Sequence, residues 1–237
     1  MKLKRDVSIK YLGHSTFLFT TPGGQTLLID PWVASNPACP ESDKSLASLD
    51  TVLITHAHFD HIQDLLELAR KHQPVIGCIL EFGQWLEKKE IANVNTMNKG
   101  GTQQLNDVRV TMVDARHSSS ILEEDGSVVY GGEPAGYVVE FENGFRIYHA
   151  GDTCVFGDMK IISEIYQPEL IFLPIGNLYT MDPREAAYAC RLMNAQKVVP
   201  MHYGTFPPLT GTPEELARRT ADLGTQVLAL KPGETLT

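Results

Sequence analysis

Four potential metal ligands fall within six consecutive residues, His56-Ala57-His58-Phe59-Asp60-His61, directly after the apolar run Thr51-Val52-Leu53-Ile54-Thr55. A strand running into such a cluster fixes the backbone, and the turn behind it gathers imidazoles and a carboxylate at one point. Residues two apart in an extended chain project to the same side, so His56 and His58 can grip one ion. Asp60 and His61 fall where the chain turns towards a helix and could serve a second ion close by. A solvated polar turn accounts for one histidine but not for four ligands in so short a run. The run still does not close a site, because two ions of the zinc type want roughly four to six N and O ligands each, with a water or hydroxide between them.

Three further candidates stand at strand ends: His117 after Val110-Thr111-Met112-Val113-Asp114-Ala115-Arg116, Asp152 in His149-Ala150-Gly151-Asp152-Thr153, and His202 in Val198-Val199-Pro200-Met201-His202-Tyr203-Gly204. A lone histidine is more often a hydrogen-bonded structural residue than a ligand. The repetition of the same placement, after a hydrophobic strand and before a Gly or Ser turn, favours ligands.

Hydrophobic periodicity predicts strands over 7–12, 16–20, 26–29, 51–54, 75–79, 108–113, 136–141, 145–149, 170–173, 197–199 and 226–230. It predicts helices over 63–71, 83–89, 158–166, 183–193 and 213–223. The last two begin cleanly, with Asp182 as N-cap before Pro183 and Thr212-Pro213-Glu214-Glu215 as a capping box. Residues 31–49 and 118–135 read as long loops, a length more often functional than structural. No repeat or linker divides the chain, so residues 1–237 are expected to form a single domain of mixed α/β (α+β) class.

A formal charge of -9 weighs against a non-specific phosphate-binding surface, which needs clustered Lys and Arg, so nucleic acid is not an expected partner. No apolar run approaches the roughly 20 residues of a membrane span, and the charged start Met1 to Asp6 leads into an alternating strand pattern and no signal-peptide core. Cys39, Cys78, Cys154 and Cys190 lie far apart, suggesting neither a zinc ribbon nor a disulfide framework. A cytoplasmic protein with reduced thiols, acting on a small molecule, is the expectation.

The motif H-x-H-x-D-H over His56 to His61, with His117, Asp152 and His202, resembles the metallo-β-lactamase superfamily. The phrases Leu12-Gly13-His14-Ser15-Thr16, Ile29-Asp30-Pro31, Tyr148 to Thr153, Phe156-Gly157-Asp158-Met159 and Pro200 to Phe206 resemble a family of metal-dependent hydrolases related to ascorbate-6-phosphate lactonases. The resemblance covers essentially the whole chain. It implies a four-layer αββα sandwich with the site at one edge of two sheets. By position, His56, His58 and His117 would hold one ion, Asp60, His61 and His202 the other, and Asp152 would bridge them. The implied chemistry is hydrolysis of an ester, lactone, amide or phosphodiester by a metal-bridging hydroxide that Asp60 could orient. The ions would be zinc, with manganese, nickel or iron as alternatives, and the resemblance also suggests a homo-oligomer.

Around this core, Asp30 is a candidate partner for a ligating histidine or a cap of the turn before Pro31, and His14 is a candidate substrate contact or proton donor. His149 suits a buried, hydrogen-bonded role and His72 a favourable charge at a helix end. Cys154 reads as a small buried residue, with a place near the site as the alternative, and Trp32 with residues 118–135 as a pocket rim. Two other readings compete: a mononuclear iron oxidoreductase on the same fold, and a non-catalytic metal-binding protein. His58 stands where diiron oxygen reductases of this type carry Glu, which weighs against iron redox chemistry.

Overall fold

A computed structural model describes residues 6–237. In chain order the first half forms β1 (Ser8–Gly13), β2 (Thr16–Thr20), β3 (Thr26–Ile29), β4 (Thr51–Leu53), α1 (Phe59–Ile62), α2 (Leu65–His72), β5 (Val75–Ile79), α3 (Leu80–Lys88) and β6 (Val94–Met97). There follow β7 (Thr102–Leu105), β8 (Val108–Asp114), β9 (Ser120–Leu122), β10 (Val128–Tyr130), β11 (Ala135–Glu140) and β12 (Arg146–His149). The chain closes with α4 (Met159–Tyr166), β13 (Leu170–Pro174), α5 (Pro183–Met193), β14 (Lys197–Met201), α6 (Pro213–Arg219), β15 (Gln226–Val227) and β16 (Thr235–Leu236). Among the described residues two large sheets form, in the orders β16-β1-β2-β3-β4-β5-β6 and β15-β14-β13-β12-β11-β8-β7, with β9 and β10 as a separate hairpin.

Alternation along the strands sorts side chains between the two faces of the second sheet. Val110 and Met112 of β8, Tyr137 and Val139 of β11, and Phe172 of β13 join the core shared with the first sheet. Their neighbours Val113, Val138, Ile171 and Leu173 pack outward with Met159 and Ile162 of α4, Cys190 of α5 and Leu216 of α6. Phe17 of β2 meets Phe172 at 4.8 Å between ring centroids, and Phe19 meets Phe141 at 6.0 Å, so aromatic pairs join the two sheets. Leu65, Leu68 and Ala69 of α2 and Phe82 and Leu86 of α3 are buried in the same cluster as the first sheet. Helices therefore flank two face-packed sheets, which is the αββα arrangement.

The two predicted N-caps hold: the side chains of Asp182 and Thr212 accept from the backbone N–H of Glu185 and Glu215. Elsewhere the structure departs from the expectations. β6 and β7 were not expected, and their sequences, VNTM and TQQL, are short and largely polar because they lie at sheet edges. The segment 118–135 carries the β9–β10 hairpin in place of a plain loop, with Val128, Val129 and Tyr130 exposed. The helix predicted over 63–71 is α2, Leu65–His72, and the short α1, Phe59–Ile62, precedes it unpredicted; the helix predicted over 213–223 stops at Arg219. Met1 to Arg5, part of the N-terminal expectation, lie outside the described residues. Among the described residues no helix is long and apolar enough to cross a membrane.

Candidate functional site

Strand direction brings the candidate residues to one edge. β3 and β4 run parallel, and β1 shares their direction because both it and β3 are antiparallel to β2. In the other sheet β12, β13 and β14 run parallel, and β8 shares their direction through antiparallel β11. Just past the C-terminal ends of these strands stand His14, Asp30 and His56 from the first sheet and His117, Asp152 and His202 from the second. The two sheets are tied there by a backbone bond, His202 N–H donating to His14 O at 2.8 Å.

His56, His58 and His117 place one nitrogen each within 4.8 Å of one another. Nε2 of His56 and Nδ1 of His58 face each other at 3.0 Å. A second group, His14, Asp60, His61 and His202, meets the same 4.8 Å limit. Between the groups stands Asp152, whose Oδ2 lies 3.9 Å from His56 Nε2 and 3.8 Å from His117 Nε2 on one side, and 3.4 Å from His61 Nε2 and 2.9 Å from His202 Nε2 on the other. Oδ1 of Asp152 and Nε2 of His61 are buried and make no hydrogen bond among the described residues. Buried polar atoms are normally satisfied, so these two are left with capacity for a bound ligand.

The charges divide in the same way. Burial pulls His56, His58 and His117 below the ordinary imidazole value, which keeps them neutral. Burial opposes charge at His61 and His202 too, but Asp152 overcomes it, raising His61 well up and His202 to about 9. Asp152 is pulled well below the carboxylate range against its burial, by His202 and His61, and Asp60 likewise by its bond to His14.

Supporting residues fix these side chains. Asp30 Oδ2 bonds His61 Nδ1 at 2.7 Å while Oδ1 accepts from Thr55 N–H at 2.8 Å, so Asp30 ties the end of β3 to the start of the motif. That favours the first of its two expected roles. His14 Nε2 meets Asp60 Oδ2 at 2.9 Å and its Nδ1 meets Thr205 Oγ1 at 3.0 Å; burial and His202 lower it to about 4. His14, Asp30 and His202 all hold φ near +55°, at 58, 55 and 55. Non-glycine residues adopt this left-handed backbone rarely, and at functional sites more than elsewhere. Gly176 is required by close approach, since a Cβ there would lie 2.0 Å from the backbone oxygen of His202.

A cavity of about 700 Å³ opens above the groups, with His58, Asp60, His117, Asp152 and His202 at its floor. All the residues singled out as ligands thus meet in one place. Several others do not stand as expected. His14 is fully buried and does not line the cavity, so of its two expected roles the substrate contact gives way to a hydrogen bond with Asp60. Trp32 is buried behind Phe206, stacked at 5.8 Å, and is not rim; of residues 118–135 only Ser118 lines the cavity. Cys154 is exposed, not buried, and is not among the lining residues. His149 is buried, its Nδ1 accepting from Gly151 N–H. Burial and Lys71 lower the pKa of His72, which disfavours the helix-end charge expected of it. Thr205 and the aromatic wall were missed: a threonine three residues after a ligand carries no spacing signal of its own.

A profile described as the beta-lactamase superfamily domain matches residues 25–203. A UPF0173 metal-dependent hydrolase of Koribacter versatilis is 54% identical over 229 residues, covering 97% of both chains. The solved structure of Igni18, a metallo hydrolase from Ignicoccus hospitalis, is 36% identical with a TM-score of 0.85, covering 97% of both chains. CmlA, a diiron β-hydroxylase from Streptomyces venezuelae, shares the fold with a TM-score of 0.76 at 15% identity, over 97% of this chain and 54% of that one.

Proposed function

We propose, from the premise that this chain belongs to the beta-lactamase superfamily and to its UPF0173 metal-dependent hydrolases, that it hydrolyses a small-molecule ester, lactone, amide or phosphodiester at a dinuclear centre. His56, His58 and His117 would hold one divalent ion and Asp60, His61 and His202 the other, with Asp152 shared. The observation that carries this reading is the position of Asp152 Oδ2, within 3.9 Å of imidazoles from both groups. The unpartnered His61 Nε2 and Asp152 Oδ1 supply the fit test, since a cation would satisfy both at once. Five imidazoles and two carboxylates suit zinc, with manganese, nickel or iron also accommodated by such donors.

Two bound divalent ions would lower the pKa of a water towards neutrality and polarise the scissile bond. The protein's own residues do the rest. Asp60 is ionised and lines the cavity floor, so its free carboxylate edge can accept a hydrogen bond from a water there and orient it. His14, neutral, donates from Nε2 to Asp60 Oδ2, and its Nδ1 accepts from the Thr205 hydroxyl; this chain fixes the orientation of Asp60. Asp30 fixes His61 so that Nε2 faces the site.

The test is metal analysis with hydrolysis on one sample. Zinc-loaded protein is expected to hold two ions per chain, His58→Ala to hold fewer, and Asp152→Ala to lose hydrolysis of generic lactone, ester and phosphodiester probes. Less than one ion per chain, or full activity in Asp152→Ala, overturns the reading.

A further inference from the structure

The walls of the cavity differ sharply from its floor. Above the ligand groups they are made by Phe59, Tyr179, Phe206, Pro207, Pro208 and Leu209. Phe59 and Tyr179 are 52% and 61% exposed, so they stand at the mouth with apolar surface open to an incoming molecule. Behind them the wall is braced: Phe206 stacks on buried Trp32 at 5.8 Å, and Trp32 meets Phe59 edge-on at 6.0 Å. Among the described residues lining the cavity none is Lys or Arg. The basic residue next to His117, Arg116, lies over the Phe156 ring at 5.2 Å, faces Asp114 and Asp158 at 3.7 and 3.8 Å, and is not among the lining residues.

A phosphate or carboxylate carried on the far end of a substrate would leave water here without a cation or a donor fork to replace it, which is costly. The overall charge of -9 adds to the penalty. An aryl or alkyl group would instead bury apolar surface against rigid rings and prolines, with little ordering of the protein needed. The cavity volume of about 700 Å³ lies within the usual range for drug-sized ligands.

We propose that the substrate carries, beyond its scissile bond, an uncharged apolar group, aryl or alkyl, seated against Phe59, Tyr179 and Phe206. Substrates whose distal end is a phosphate or a carboxylate are disfavoured. The inference rests on the hydrolase reading above for the position of the scissile bond, and on the cavity walls alone for the rest.

Hydroxamic acids test it, because the head group chelates a metal while the tail is varied. Binding to the zinc-loaded protein is measured by isothermal titration for acetohydroxamic, hexanohydroxamic and 3-phenylpropanohydroxamic acids and for the monohydroxamate of succinic acid. Affinity should rise about three- to fourfold per methylene reaching the wall, and the carboxylate-ended member should bind more weakly than an alkyl one of equal length. Tyr179→Ala, at an exposed position, and Phe206→Ala should each remove most of the gain for the phenyl member and leave acetohydroxamic acid unchanged. A flat series, or tightest binding by the carboxylate-ended member, overturns the inference even where acetohydroxamic acid binds. If acetohydroxamic acid does not bind and the sample holds no metal, the hydrolase reading itself falls and the inference falls with it.

Discussion

Oδ2 of Asp30 lies 2.7 Å from Nδ1 of His61, and both side chains are fully buried. The carboxylate accepts from Nδ1, which leaves Nε2 facing Asp152 and able to offer its lone pair once an ion displaces its proton. Asp30→Asn keeps the size but loses the charge, and is expected to weaken zinc binding about 10- to 100-fold. Competition against a chromophoric chelator measures this. Unchanged affinity would mean that packing alone orients His61.

The opposed pKa shifts predict a stability optimum for the metal-free protein. His202 is raised from 6.5 to about 9, so it binds its proton more tightly when folded; that stabilisation is complete below pH 6.5 and is lost as pH rises to about 9. His14 is lowered to about 4, so its contribution is present above pH 6.5 and is lost as pH falls towards about 4. His61 acts in the sense of His202, and His56, His58 and His117 in the sense of His14. The chelated protein should therefore melt highest near neutral pH and fall off on both sides. A Tm rising steadily from pH 7 to 9 would contradict the arrangement.

Gly176→Ala should damage the site without touching a ligand. Its Cβ would stand 2.0 Å from the backbone oxygen of His202, and backbone cannot swing aside as a side chain can. A loss of roughly 1–3 kcal/mol in stability is expected, as for overpacking in a tight core. Metal content should fall at the same time, because His202 is displaced. Denaturant melts and metal analysis on one sample check both.

Truncating an aromatic bridge between the sheets separates scaffold from chemistry. Phe172→Ala removes a ring packed on Phe17 and Phe19 at 4.8 and 5.8 Å and should cost about 3–5 kcal/mol. Zinc stoichiometry at low temperature should persist. If metal binding is lost while the fold survives, the core and the site are coupled more tightly than their separation implies.

Much of the site was legible because its ligands are of a few chemical types and follow apolar strands, a pattern that survives without coordinates. His117 and His202 were readable for that reason. The wall was not, since Phe59, Phe206 and Leu209 are ordinary apolar residues whose meaning comes from a neighbour far along the chain. His14 was placed near the metals, but its contact with Asp60 rather than with the cavity depends on a turn geometry that composition does not reveal. The polar edge strands β6 and β7 were missed for a related reason: backbone pairing decides them, not side-chain alternation.

The pairing of Ile9 in β1 with Leu236 in β16 places the opening strand beside residues from the other end of the chain. The first sheet therefore gains its outer strand only after residues 235 and 236 have been made, long after β1. The ligand positions span His56 to His202, so a nascent chain presents histidines long before it can present a complete site. The ligand set closes only when β14 brings His202 to the edge shared by both sheets.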